Sequence, residues 1–334
     1  MTNDHLMKLT SSEASFLWVS YMKDSMSICI FQHFLTHIED EEIKSLLSLS
    51  MSYSLEHVQE IQHTLELENI PVPDGFNEHD VKLNSPRLYT DPFYLRFLEQ
   101  FGKNGLKSYS LALSNSYRDD VRGFFSKCIN QTSNLFNQAV QLMLEKGMTM
   151  LPLLSEAPEK VQYVIKQGFL AGWFGSKHSL TALEVAALHQ NAQANAVGKA
   201  LFTGFTQTAE TKDARDYFKR GLEIAVKHID IFHNILSQEN LPFSDIKDNQ
   251  VTASTTQIFS DKLAMYCIAV LNENGMRNYG TAFSLCQRRD LTNSFNRLAL
   301  ESSLYAEDGL HLQIKHNWVE HQPMPSSDGK SILP

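Results

Sequence analysis

Residues 184 to 205 step by fours and threes along one helical face: Glu184, Leu188, Asn191, Asn195, Gly198, Phe202, Phe205. Apolar side chains bracket a polar middle on the stripe that should face a core. The same stripe occurs earlier in the chain as Glu13, Leu17, Ser20, Asp24, Ser27, Phe31, Phe34. A second inward face runs Gly221, Ala225, His228, Phe232, Ile235, with His57 in the place of His228. A third runs Phe295, Leu298, Glu301, Tyr305, Asp308, Leu312, matched by Phe125, Cys128, Gln131, Leu135, Gln138, Leu142. Every period is helical, and no run of β-branched alternation argues for a strand.

These stripes recur because the chain is one module written twice. A shift of 171 residues carries Leu9, Thr10, Glu13, Leu17, Phe31, Phe34 and His57 onto Leu180, Thr181, Glu184, Leu188, Phe202, Phe205 and His228. It also carries Glu68-Asn69-x-Pro71 onto Glu239-Asn240-x-Pro242. After one gap the shift becomes 170. Asp91, Asn104, Gly105, Tyr109, Ala112, Ser114, Arg118, Asp120 and Phe125 then meet identical residues from Asp261 to Phe295. The copies span 1–151 and 179–334. The stretch 152–178 between them carries prolines and glycines and reads as a linker, with a short helix over Lys160 to Gln167.

Each copy is expected to form four helices. Thr10-x-x-Glu13 and Thr181-x-x-Glu184 are capping boxes for helix 1. Pro71 and Pro242 stop helix 2. A longer polar segment follows in each copy, and helix 3 starts near Pro92 and Lys262. Asp120 and Asp290 suit the N-cap of helix 4, which ends near Gly147 and Asn317. Two short hairpins joined by one long crossover make a ferritin-like four-helix bundle. The predicted fold class is therefore all-α: two tandem ferritin-like four-helix bundles from an internal duplication.

Topology also sets the height of the polar residues. With helices 1 and 2 antiparallel, helices 3 and 4 antiparallel, and a rise of about 1.5 Å per residue, Asn191, Asn195, His228 and Glu301 fall within a turn of one another. Ser20, Asp24, His57 and Gln131 form the matching group. Imidazole and carboxylate projecting inward from facing helices is how bundle metal sites are built. His228, Glu301, Asn195 and Asn191, with His57 and Asp24 as a weaker first-copy site, are thus candidate ligands for iron, manganese or zinc. A full dinuclear site also needs Glu three residues before each histidine, where this chain has Ser54 and Ala225. The competing expectation is a hydrogen-bond network that fixes helix register. Arg118 and Arg288 are expected to pair with a carboxylate of the facing hairpin. Gly105 and Gly275, inside helix 3, imply a close helix approach that offsets their cost. Tyr109 and Tyr279, one turn on, need a partner if buried.

Composition narrows the function. The chain has 334 residues, with 29 basic against 38 acidic side chains and a net charge of −9. Without a basic block, that charge argues against a nucleic-acid partner. No apolar run is long enough for a membrane span, and Met-Thr-Asn-Asp-His lacks the start of a signal peptide. The four cysteines form no CxxC pair, consistent with reduced thiols in a cytoplasmic location.

The strings LWVSYMKDS, DVKLNSPRLYTD, GFTQTA, FSDKL, NYGTA, RRDL and LYAEDG resemble a tandem ferritin-like bacterial family of unknown function. That family occurs largely in spore-forming bacteria, and some of its members are named as spore coat proteins. The closing Asn317-Trp318-Val319-Glu320-His321-Gln322-Pro323 keeps the Asn-Trp-x-Glu start and one proline of its Gly/Asn-Trp-x-Glu-x-Pro-Pro motif, with Pro323 one residue later and Met324 in place of a second proline. The resemblance implies the fold, a sporulation context and spore-coat proteins or further copies of the chain as partners, with no catalytic assignment. Three functions follow as expectations: a structural or binding role, spore-associated; a metal-binding protein or metal-dependent oxidase using the mid-bundle His/Glu site; and a small-molecule binding module between the bundles.

Overall fold

The computed structural model describes residues 7–148, 160–161, 163–164, 178–241 and 250–323. Among these residues the regular structure is helical throughout: α1 (Ser11–His37), α2 (Glu41–Leu67), α3 (Asp91–Ser114), α4 (Asp119–Glu145), α5 (Ala182–Thr208), α6 (Lys212–Gln238), α7 (Asp261–Leu285) and α8 (Arg289–Lys315). The duplication appears directly as two sets of four helices. Half of the linker helix expected over Lys160 to Gln167 lies outside the described residues, and the described Lys160, Val161, Tyr163 and Val164 are not helical.

The capping chemistry matches its sequence signals at helix 1. Thr10 and Thr181 cap α1 and α5, with Glu13 and Glu184 completing the boxes. At the other ends, Asn69, Asn240 and Asn317 follow α2, α6 and α8 with φ of 54°, 55° and 57°, and Gly147 follows α4 at 63°. Asparagine and glycine tolerate this left-handed region best. Ile70 N reaches back to Leu65 O, and Leu241 N to Leu236 O, both at 3.0 Å, so the Glu-Asn-x-Pro motif is a helix stop. Asp120 and Asp290 depart from the expectation. They lie one residue inside their helices, and Arg288 occupies the cap position of α8 without a side-chain cap bond. Both carboxylates instead chelate the arginine two residues earlier.

The chain divides into two units. Of the described residues, unit 1 holds those up to Asn84, Tyr94–Glu145 and those from Trp318 on; unit 2 holds Ser85–Phe93 and those from Lys146 to Asn317. In unit 1, α1 packs on α2 and α2 on α4. Phe31 and Phe34 interlock edge-to-face with Phe97 of α3, at centroid distances of 6.3 and 5.4 Å. In unit 2, α5 packs on α6 and α7, and α8 on α6 and α7. One end of its core is Phe232, Tyr279, Phe295, Leu188 and Leu298. Further along α6 and α8, Tyr217 and Tyr305 stack at 4.2 Å, and each hydroxyl donates to the other's backbone carbonyl.

The inward face of the fourth helix keeps the apolar core of the expected stripe, Phe295, Leu298 and Tyr305 on α8 and Phe125, Cys128, Leu135 and Leu142 on α4, but buries the neighbours of its polar positions instead. On α8 the buried residues are Leu291, Phe295, Leu298, Ser302, Tyr305, Gly309 and Gln313, while Glu301 and Asp308 sit toward solvent. On α4, Thr132 and Ala139 are buried rather than Gln131 and Gln138. Small residues mark close approaches along these faces. A Cβ on Gly309 would overlap the Tyr217 phenol, and a Cβ on Gly105 would come 2.7 Å from Thr132 Cγ2. Glu301 and Asp308 pair with Lys227 and Arg220 at the rim. Gly275 differs from Gly105: nothing lies within 4 Å of a Cβ placed there, so the close approach expected at that glycine is absent.

Candidate functional site: a buried histidine in each unit

His57 sits on α2, 2% exposed, and the three other helices of its unit converge on it. From α1, Asp24 Oδ2 lies 3.3 Å from Nδ1. From α4, Gln131 Oε1 lies 2.7 Å from Nε2. From α3, the Tyr109 hydroxyl donates to Asp24 Oδ2 at 3.3 Å. Ser54, one turn before His57, donates to Asp24 Oδ1 at 2.8 Å.

The partners fix the protonation. Gln131 must present its NH2 group to Glu56, which only accepts, at 2.6 Å; its carbonyl oxygen therefore faces the ring. Asp24 also only accepts. Both ring nitrogens then carry hydrogen, and His57 is an imidazolium. Burial opposes that charge, but the Asp24 carboxylate outweighs it and His57 is pushed up to about 11. Burial, with Asp24 beside it, likewise holds the Tyr109 phenol protonated.

The second copy inverts the arrangement. Asn195 stands in the place of Asp24 and Glu301 in the place of Gln131, so the acid has moved to the other side of the ring. His228 Nε2 lies 3.1 Å from Glu301 Oε2, and Nδ1 lies 2.8 Å from the Tyr279 hydroxyl. Asn195 Nδ2 donates to that hydroxyl at 2.9 Å. A neutral ring satisfies every group: Nε2–H donates to Glu301, and Nδ1 accepts from Tyr279. Burial lowers His228 from its ordinary value despite the opposing pull of Glu301. Burial also raises Tyr279 and keeps its phenol protonated. The residue before each histidine follows the swap. Glu56 meets the Gln131 amide, whereas Lys227 meets Glu301 at 2.7 Å.

The expected ligand candidates therefore gather with one exception and three additions. Asp24, His57 and Gln131 are in direct contact. His228 and Glu301 are in direct contact, and Asn195 reaches His228 through Tyr279, whose reach across the bundle was not legible from height alone. Asn191 turns aside and donates to Ala187 O in its own helix at 2.8 Å. Tyr109 and Ser54 complete the first layer; the repeated Gly-x-x-x-Tyr of helix 3 was the available signal for the tyrosines. Among the described residues, no three His, Cys, Asp or Glu side chains form a group that could hold a metal ion.

A second buried carboxylate lies at the end of each unit. Glu13 is wholly buried. Its Oε2 accepts from Thr10 N and Oγ1, and its Oε1 from Tyr117 N and Arg118 N, at 2.7–2.8 Å. Burial resists this charge, but the donors prevail and hold the carboxyl below its ordinary range. Glu184 repeats the pattern with Thr181, Gln287 and Arg288. Arg118 pairs with Glu68 and Asp120, and Arg288 with Glu239 and Asp290. The expected inter-hairpin salt bridge is present in both copies, with Arg288 buried in the second and Asp120 open to solvent in the first.

A family model described as "Protein of unknown function (DUF3231)" matches residues 1–161 and again 168–330. The chain belongs to that family, and the two matches restate its duplication. No curated protein matches the chain. A solved structure from Bacillus halodurans C-125, described as a "putative spore coat protein", is similar to it at 20% identity and a TM-score of 0.43, covering 46% of this chain and 100% of that one. Among the described residues no helix is long and apolar enough to cross a membrane.

Proposed function

We propose that the protein is a structural or binding protein of a spore-forming bacterium, built from two ferritin-like bundles whose histidine layers hold their helices in register. One observation carries this reading: each imidazole is bonded at both nitrogens by side chains from other helices. In the first layer both nitrogens bear hydrogen and offer no lone pair to a metal. In the second, Nε2 donates to Glu301 and Nδ1 is taken by Tyr279. A network with its donors and acceptors matched in this way fixes which helical turns face each other. That favours register-keeping over the metal-dependent oxidase reading. Further copies of the chain or coat proteins are its partners in this account, as the sequence resemblance implies.

The test is elemental analysis of protein purified without chelator, paired with His228→Ala. The expected result is no stoichiometric iron, manganese or zinc, with the variant unfolding at lower denaturant. Near-stoichiometric metal that disappears in His228→Ala would establish the metal reading instead.

A further inference from the structure

We propose that each helical unit is closed by a strap drawn from the other sequence copy, so that the two copies are an obligate pair rather than two autonomous bundles. Unit 1 ends its helices at Glu145, yet it includes the described residues from Trp318 on; unit 2 includes Ser85–Phe93, the end of the first copy's crossover and the start of α3. Two independent sets of contacts hold these straps.

The first strap follows the left-handed turn at Asn317. Glu320 places one carboxylate oxygen 2.9 Å from Asp74 N and the other 3.1 Å from Gly75 N. Neither amide belongs to a helix, so both need an acceptor from elsewhere. Gly75 has φ +60°, and a Cβ there would come 2.7 Å from Ser25 Oγ. Phe76 N donates to the same Ser25 hydroxyl at 3.3 Å. The crossover is thus pressed onto α1, and the Glu320 carboxylate closes over its two outward amides.

The second strap runs the other way. Tyr89 is 1% exposed, stacks on Phe93 at 4.2 Å and lies over Gly204, where any Cβ would overlap its phenol. Its hydroxyl donates to Leu201 O at 3.5 Å. The flanking backbone pairs with the second crossover: Thr90 N donates to Gln250 O at 3.1 Å and Thr252 N to Leu88 O at 2.8 Å. Thr252 Oγ1 adds a bond to Arg87 O at 2.6 Å. These segments lack helical hydrogen bonds of their own, so their backbone order comes from the unit that receives them.

It follows that weakening a strap opens the receiving unit and not the copy that donates it. Hydrogen exchange on the full chain, read by mass spectrometry, separates the two. Glu320→Ala should speed exchange at Asp74 and Gly75 by roughly tenfold or more, as expected for losing bonds to a charged acceptor, and leave α5–α8 unchanged. Tyr89→Ala should speed exchange at 250–252 and near Leu201 while α1, α2 and α4 keep their protection. If Tyr89→Ala does not fold, Thr252→Val weakens the same strap more gently and is read at the same peptides. Unchanged exchange at Asp74 and Gly75 in Glu320→Ala, or an equal rise in α8, overturns the proposal. So does a rise in α1 and α2 in the Tyr89 or Thr252 variant.

Discussion

His57 and Asp24 form a buried ion pair, Nδ1 to Oδ2 at 3.3 Å, with both side chains only 3% exposed. Breaking such a pair strands one charge in the interior and costs about 3 kcal/mol or more. Asp24→Asn converts the first layer toward the second, and it removes the force that keeps His57 charged. The sign of the pH dependence follows from His57 being raised from 6.5 to about 11. Its contribution is whole below about pH 6.5, declines as pH rises through that window and is gone above about 11. Denaturant unfolding at pH 6 and pH 9 should show a loss of stability with pH in the parent chain that is larger than in Asp24→Asn. Equal pH slopes in the two proteins would remove the charged His57 from the account.

His228 should behave in the opposite sense. Its folded value is lowered by burial, so its contribution is present above the unfolded value near 6.5 and is lost as pH falls through the depressed folded value. Nitrogen NMR of the imidazoles is the direct measurement. At pH 7 His57 should show two protonated nitrogens, and His228 one, on Nε2. Matching spectra for the two rings would contradict the opposed hydrogen-bond assignments.

The two layers also show how far the sequence carries. The repeat located eight helices, their stops and the height of both histidines, because spacing and capping are local properties of the chain. It did not reveal that Tyr279 stands between Asn195 and His228, since a phenol bonds at the far end of its ring and height arithmetic follows backbone only. The choice of Glu301 over Ser302 for the inward face failed for a related reason. Residues next to each other on a helix differ by about 100° in direction, and which one turns inward is set by packing against the neighbouring helices, which spacing does not state. The straps were least legible of all, because nothing in a crossover or a tail states which bundle will receive it.

Glu13 and Glu184 should be worth more than their capping boxes. Loss of an N-cap interaction alone costs about 1 kcal/mol. Each of these carboxylates also accepts the two backbone amides of the bend between helices 3 and 4 in its own copy. Glu13→Ala takes the charged acceptor from those two amides as well as from the cap, so a cost of about 3 kcal/mol is expected. Because the Glu13 carboxyl is held below its ordinary range, the stabilisation is present above about pH 4.5 and fades as pH falls through the lowered value. Thr10→Ala provides the comparison, since it removes the cap and keeps the bend contacts. Chemical denaturation should rank Glu13→Ala well below Thr10→Ala, and equal losses would reduce Glu13 to a cap.

The paired glycines of helix 3 give the sharpest contrast between the copies. Both lie at the same place in the repeat, one turn before the layer tyrosine, and glycine inside a helix costs about 1 kcal/mol relative to alanine. At Gly105 the space for a methyl is taken by Thr132, whose Cγ2 would lie 2.7 Å and Oγ1 3.2 Å away. At Gly275 that space is open. Gly275→Ala should therefore gain the propensity term with nothing against it, raising stability by about 0.5–1 kcal/mol. Gly105→Ala gains the same term but must displace Thr132 beside Gln131, and overpacking of this kind costs about 1–3 kcal/mol. The two substitutions should shift the unfolding midpoint in opposite directions. If they shift it the same way, the inter-helix spacing at these two positions is alike.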